Sequence, residues 1–336
     1  VPYVAPNLSF NTGLVFSQET AIGTAVAYGT LNTASWAGAE KRYAGPALLD
    51  GAFTPAQQDV KLITTNPVRQ SMTKRKDIVG RSIVTITFDA FLQGSGGTGG
   101  QMPWFVPLIE SCGHSIASNS SGGSSSWVLT PTNTPPSLTF YHHSGGVRQL
   151  ITGAFGTCSF KFPAGDAPRV SFTFKGVWNA PTDVAFPTLT NPGFYASQVQ
   201  SEAFVLNALN ALIVPEVSLD LAAEAQERED INSALGFYGF YHCDRNPKVM
   251  AKIERASTLA LGLDPYTLQQ NASDCDLSWT HGSAASGSQA LFAVPDSQLT
   301  TVNEEDRNKR KVFNCTFKGQ GTNENADYKI TFKEKI

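Results

Sequence analysis

His142 and His143 stand side by side in SLTFYHHSGG. Neighbouring residues of a strand point to opposite faces, so the two imidazoles cannot close on one metal ion. His114, His242 and His281 are scattered. The five cysteines, Cys112, Cys158, Cys243, Cys275 and Cys315, contain no C-x-x-C pair, so the sequence offers no zinc ligand set. Their odd number fits buried free thiols of a reducing compartment better than a disulfide framework. GSGGTG at 94–99 matches G-x-G-x-x-G between a strand and a helix. Gln101-Met102-Pro103 separates it from that helix, and neither a parallel βαβ unit nor a ribose-binding acid follows, so it reads as a loop. Asp274 and Asp276 flank Cys275 in an apparent loop, the nearest approach to a catalytic carboxylate pair. No G-x-S-x-G, H-E-x-x-H or Walker A stretch is present. The expectation is a protein that is not an enzyme and uses neither metal nor cofactor.

Charge is concentrated in two segments. Arg69, Lys74, Arg75 and Lys76 outweigh Asp77 in TNPVRQSMTKRKDIVG (65–80). Glu224, Glu227, Glu229 and Asp230 outweigh Arg228 in AAEAQEREDINSALG (222–236). Both read as loops. Their opposite signs predict a complementary pair meeting between subunits.

These segments belong to a chain of 336 residues, long enough for two cores at about 150 residues per domain. Charged residues make up 16%, against about 25% in an ordinary soluble domain. The net charge of −3 gives no sign of a basic nucleic-acid groove. Low charge with 29 Gly, 19 Pro and 21 Phe points to β structure with much surface hidden against other subunits. VPYVAPNLSF lacks the basic and apolar regions of a signal peptide, and the apolar stretch 203–217 is too short and too polar to span a bilayer. Assembly in a cytoplasm without membrane contact is expected.

The elements repeat. RSIVTITFDAFL (81–92) alternates Val84, Ile86 and Phe88 with Thr85, Thr87 and Asp89, a half-buried strand. PWFVPLIESCG reads as a short helix stopped at Gly113. A Ser/Gly/Thr/Pro-rich loop (117–137) leads to SLTFYHHSGGVRQLI, where Ser144-Gly145-Gly146 turns one strand back on another. GTCSFKF and RVSFTFKG pair across PAGDAP. The second half offers KVMAKIERA, then LDPYTLQQNA with Asp264 as N-cap and Pro265 at the first helical position, then QALFAV and KVFNCTFKG. DVKLIT (59–64) and EVSLDL (216–221) precede the two strands in the same way. SFTFKG at 171–176 and NCTFKG at 314–319 therefore close two copies of one small antiparallel β domain. The predicted organisation is an N-terminal arm and extended segment (1–58), a first domain (59–187), a linker (188–213) and a second domain (214–336).

On KRKDIVGRSIVTITFDAFLQGSG, PWFVPLIESCGHS and SLTFYHHSGGVRQLITGAFGTCSFKFPAGDAPRVSFTFKGVWNAPTD, the first half resembles the tail tube proteins of long-tailed, siphovirus-like bacteriophages. QETAIGTAVAYG (18–29) is similar to the family's start, and DRNPKVMAKIERASTLALGLDPYTLQ to a second such domain. Packing and turn signals carry the resemblance, over nearly the whole chain. It implies a mainly β fold of two β-sandwich or barrel-like domains, each with one short flanking helix. It also implies a structural virion protein that self-assembles into stacked rings, forming a hollow tube through which DNA is ejected. Three duplicated chains would make a pseudo-six-fold ring; six chains are the alternative. The implied partners are tape-measure, tail terminator and distal tail proteins, with duplex DNA passing unbound. A conduit should hold DNA weakly, because each Lys or Arg contact with phosphate releases counterions and adds affinity. Thr85, Thr87, Asp89, Lys252 and Glu254 are therefore predicted to face the lumen, with Asp89 and Glu254 outweighing nearby lysines. Ser171, Thr173 and Lys175 with Asn314, Thr316 and Lys318 take that place if the last strands line the bore. The competing class is a glycan-binding β-sandwich of a virion surface, with Trp127 and Trp279 as its sugar platform.

Overall fold

The computed structural model describes residues 12–29, 31, 35–37, 42–50, 54–64, 76–94, 101–121, 124–186, 188–190, 198–200, 202–233, 236–283, 288–321 and 326–335. Arg69, Lys74, Arg75 and most of the GSGGTG stretch lie outside them. The first half contains β1 (Thr12–Gln18), β2 (Ser35–Ala37), β3 (Arg42–Pro46), β4 (Thr54–Ile63) and β5 (Ile78–Phe91). Helix α1 (Val106–Glu110) follows, then β6 (His114–Ser121), β7 (Ser124–Pro131), β8 (Leu138–Ser144), β9 (Val147–Pro163) and β10 (Arg169–Trp178). The short strands β11 (Thr182–Asp183) and β12 (Val205–Leu206) lead to β13 (Glu216–Asp220), β14 (Glu224–Glu229), β15 (Phe237–Asp244) and β16 (Lys248–Glu254). Helices α2 (Arg255–Ala260) and α3 (Pro265–Gln270) precede β17 (Asp274–Ser283), β18 (Ser288–Arg307), β19 (Arg310–Lys318) and β20 (Lys329–Lys335). The fold is mainly β, and every strand pairing among the described residues is antiparallel.

Hydrogen-bonded neighbours in the first half run β4–β5–β10–β9–β8–β1. In the second half they run β13–β16–β19–β18–β17–β12. The order of roles is the same, and SFTFKG and NCTFKG fall on the corresponding strands β10 and β19. Two joints fuse the halves. The C-terminal part of β9 pairs with β13, placing Phe160 opposite Leu219 and Phe162 opposite Val217. Strand β20 pairs with β18 on one side and β7 on the other.

Period-two alternation sends one row of side chains to each face. Ala90, Val170, Phe160, Leu219, Val249, Phe317 and Leu299 lie in register across seven strands, and all are buried. The hydrophobic cluster beneath them draws on both halves. Trp279 stacks on Phe292 at 5.0 Å, and Phe105 meets Phe332 edge-on at 5.2 Å. Rings of this size dominate core energetics because each removes a large apolar area from water. Gly156 marks the tightest approach: a Cβ there would sit 2.4 Å from the carbonyl oxygen of Thr173. At the β8–β9 turn, Gly145 and Gly146 both take positive φ, the geometry a two-residue hairpin demands.

Three expectations need correction. The 117–137 segment contains the β6–β7 hairpin as well as loop. Serine masks the alternation of Trp127 and Leu129, and β7 is held on both edges by β6 and β20. The acidic 222–236 segment likewise contributes to a hairpin, β14–β15. Asp274 and Asp276 begin β17 with Cys275 buried between them. Helix α3 follows the cap seen in the sequence: Asp264 accepts from Tyr266 N ahead of Pro265. Helix α1 starts at Val106 with Pro107 in its first turn and no side-chain cap. The second half has the additional helix α2, which no cap residue announces.

Candidate assembly surface

Directly opposed residues of an antiparallel pair share a face, so the strand registers define the polar side of the joined sheet. Asp89, Ser171, Ser159, Asp220, Lys248, Lys318 and Gln298 form one row. Arg169, Lys161, Ser218, Met250, Thr316 and Thr301 form the next, and Glu216, Lys252, Asn314 and Asn303 a third. Thr87, Thr173 and Thr157 lie on the other side of Asp89. The two sets that the sequence left as alternatives therefore occupy one face. Thr87 and Asp89 are exposed, whereas Thr85, Lys252 and Glu254 are half-buried.

This face carries mixed charge. Glu216 Oε1 lies 3.4 Å from Lys161 Nζ across the β9–β13 joint, and its Oε2 lies 3.5 Å from Lys252 Nζ and 3.7 Å from Arg307. Glu254 pairs with Arg310 at 3.4 Å, and Asn314 donates to Glu305 at 2.9 Å. Lys248 stands directly opposite Asp220 with Lys318 next to it, whereas Asp89 lies opposite Ser171, and Lys175 is four residues farther along that strand. Glu254 is bridged, but the bases of this face outnumber its acids, so Asp89 and Glu254 do not outweigh the lysines, contrary to the expectation from the sequence. Pairs this exposed are worth about 0–1 kcal/mol each, so they set local neutrality more than stability.

One end of the face is covered. Thr85 and Lys175 share their row with Phe155, and the next row is Ile83 and Val177. Phe237 and Phe240 of β15 pack on this apolar patch, and Arg81 forms an ion pair with Glu227 of β14. Glu227 therefore has a partner in its own chain. Glu224 and Glu229 are exposed, and Gln226 donates to Glu224 at 2.5 Å. Asp230 accepts from Asn232 N at 2.9 Å and Ser233 Oγ at 3.1 Å. The Asn232 backbone bond, chiefly, holds its carboxyl below the usual range. Lys76 is exposed at the loop end of the β4–β5 arm, just before β5. Leu62, Ile63, Ile78 and Val79 are exposed on that arm, and Ile231 at the tip of the β14–β15 hairpin is 97% exposed.

His114 and His281 are buried and held by hydrogen bonds within the chain. His114 Nδ1 donates to Ile109 O at 2.8 Å, and Tyr328 Oη donates to His114 Nε2 at 2.7 Å. His281 Nδ1 lies 2.7 Å from Glu202. Among the described residues no group of His, Cys, Asp and Glu could hold a metal ion. Trp127 and Trp279 are each 1% exposed, so neither can stack on a sugar. Among the described residues no helix is long and apolar enough to cross a membrane. No protein-family model matches the chain, and no curated protein matches it.

Proposed function

We propose that the chain is a structural protein of a phage tail, assembling into rings that stack into a DNA-conducting tube. The observation that carries the proposal is the sheet β4–β5–β10–β9–β13–β16–β19–β18, polar on one face and packed on the core with the other. It runs unbroken through both halves, and among the described residues no strand pairs with the outer side of β4 or with the outer side of residues 303–307 of β18. Open edges of this length are aggregation hazards unless another chain completes them, and a ring removes them altogether. Heterologous contacts that close laterally and repeat axially give rings and tubes. Two similar halves per chain favour three chains around a ring over six. The polar face, lined by Thr87, Asp89, Lys252 and Glu254 with their balancing charges, forms the inner wall. Its acids, interleaved with and partly bridged to its bases, offset most of their charge, which keeps its hold on duplex DNA weak. Tape-measure, terminator and distal tail proteins would meet the ends of such a tube in the virion.

Negative-stain microscopy of the purified chain tests this directly. Open-ended tubes or stacked rings with three chains per ring are expected. A chain that stays monomeric at high concentration, and is absent as a multicopy component of any virion, would sink the proposal.

Axial stacking brings the basic segment near Lys76 against Glu224, Glu229 and Asp230 of a neighbouring ring, where rim charges set register and encounter rate. Such charges are screened over about 8 Å at physiological salt. Changing Lys74, Arg75 and Lys76 to Glu should slow tube growth at least about tenfold with the melting temperature unchanged, since steering effects of charge on association span about 10 to 1,000-fold. Light scattering at matched concentration reads the growth rate, and wild-type growth of the variant would remove the stacking role.

A further inference from the structure

The β9–β13 joint inside the chain is a template for the joint between chains. We infer that β4 of a second copy pairs antiparallel with residues 303–306 of β18, in the register that β13 adopts on β9. The inference rests on the ring proposal, and the repeat supplies its detail. SFTFKG and NCTFKG put Ser171 level with Asn314. Ser171 lies opposite Ser159 on β9, and Asn314 lies opposite Asn303 on β18. Lys175 and Lys318 are equivalent in the same way; they face Thr85 and Lys248, whose outer neighbours are Gln57 and Asp220. Within the chain Asp220 lies opposite Ser159. Gln57 of the second copy therefore falls opposite Asn303.

Both edges are available. Among the described residues β4 pairs with β5 alone, and residues 303–307 pair with β19 alone. Gln58, Asp59 and Lys61 are exposed, as are Asn303 through Asp306. The two joints differ in one respect. Beneath the internal joint β9 places Phe160 and Phe162, both buried. At the equivalent positions β18 places Glu304, held by Tyr266 and Arg255, and Asp306, held by Lys311. The outer joint thus has a charged back where the inner one has phenylalanine. Charge on an edge keeps a lone chain soluble. It also leaves main-chain pairing as the principal bond between chains, one that forms in one register and reverses when a ring is incomplete.

The test uses the full chain with Cys243→Ser, which removes the exposed thiol. Gln57→Cys combined with Asn303→Cys should, on oxidation of the assembled protein, convert most monomer into a denaturant-resistant ladder ending at the trimer. Seven strand spacings separate the two positions within one chain, about 34 Å, so any link is between chains. Gln57→Cys with Arg307→Cys is displaced by four residues, about 13 Å, and should stay monomeric. In the unmodified protein, amide exchange at 54–57 and 303–306 should slow by at least about tenfold on assembly, as newly paired amides do. Tubes in which 57 and 303 stay unlinked, or in which these edges exchange at the monomer rate, overturn the joint and leave the tube proposal standing. A chain that forms no assembly at any concentration overturns both.

Discussion

Replacing Glu19 by alanine is expected to lower the unfolding free energy by about 3 kcal/mol or more, because four donors lose a buried charged acceptor and hydrogen bonds to charged groups are worth about 1.5–3 kcal/mol each. The carboxylate is 7% exposed and accepts four hydrogen bonds. Ser137 Oγ at 2.5 Å and Gly23 N at 2.7 Å serve one oxygen; Thr139 Oγ1 and Gly153 N, both at 2.8 Å, serve the other. These bonds pin the chain after β1 across β8 and β9. Alanine strands four donors in a site built around negative charge. Glutamine keeps the shape but presents an amide N–H₂ to backbone N–H groups that cannot reverse, so its loss should be intermediate. Urea denaturation of the three proteins gives the ranking. A cost below about 1 kcal/mol for alanine, the worth of one ordinary hydrogen bond, would show that the site relaxes or hydrates without the carboxylate.

Acid is expected to weaken the fold through His114. Burial, the dominant cause, pushes its pKa down to about 4 even though the Ile109 carbonyl favours the charged ring, while nearby Arg245 and His242 add to the depression. An unfolded His titrates near 6.5. The unfolded chain therefore binds a proton between pH 6.5 and 4 that the folded chain refuses. Stability is full above the upper value and falls as pH drops through this window. For His114 alone the loss between pH 7.5 and 5 is about 2 kcal/mol. His143, lowered mainly by burial and then by Arg148, steepens the slope in the same direction. His114→Gln should be less stable at neutral pH and lose less on acidification. Equal slopes for variant and parent in urea titrations at the two pH values would exclude His114 as the source.

Much of this architecture was legible in the sequence. Val84-Thr85-Ile86-Thr87-Phe88-Asp89 declares both its period and its two faces, and the shared Thr-Phe-Lys-Gly marks equivalent strands. Asp264-Pro265 and Gly145-Gly146 fixed a helix start and a hairpin because their backbone preferences are local. The misses have a common physical cause. Ser124-Ser125-Ser126 has the composition of a loop, and only the distant β20 makes β7 a central strand. Glu227 reads as one more solvated acid until Arg81 and the patch of Ile83, Phe155 and Val177 come into place. Glu19 looks like a surface residue because its four donors come from positions up to 134 residues away. Trp127 and Trp279 show the converse, aromatic residues in polar stretches that the fold takes fully inside. Pairings between strands distant in the chain leave no periodic trace, and they are what bring the polar rows of the two halves onto one face.

Strand β20 is the last of the described strands to leave the ribosome, yet its partner β7 emerges about 200 residues earlier, Ile330 standing opposite Leu129. At about 5–20 residues per second, β7 waits on the order of 10 to 40 seconds with one edge unfilled. During that interval neighbouring nascent chains on the same message are its nearest competitors. The serines at the mouth of the β6–β7 hairpin carry little β propensity and offer little apolar surface, so a waiting β7 is a poor template for a foreign strand. Translation order thereby makes the N-terminal half dependent on the C-terminal end, and a chain interrupted before β20 is left as a substrate for proteolysis.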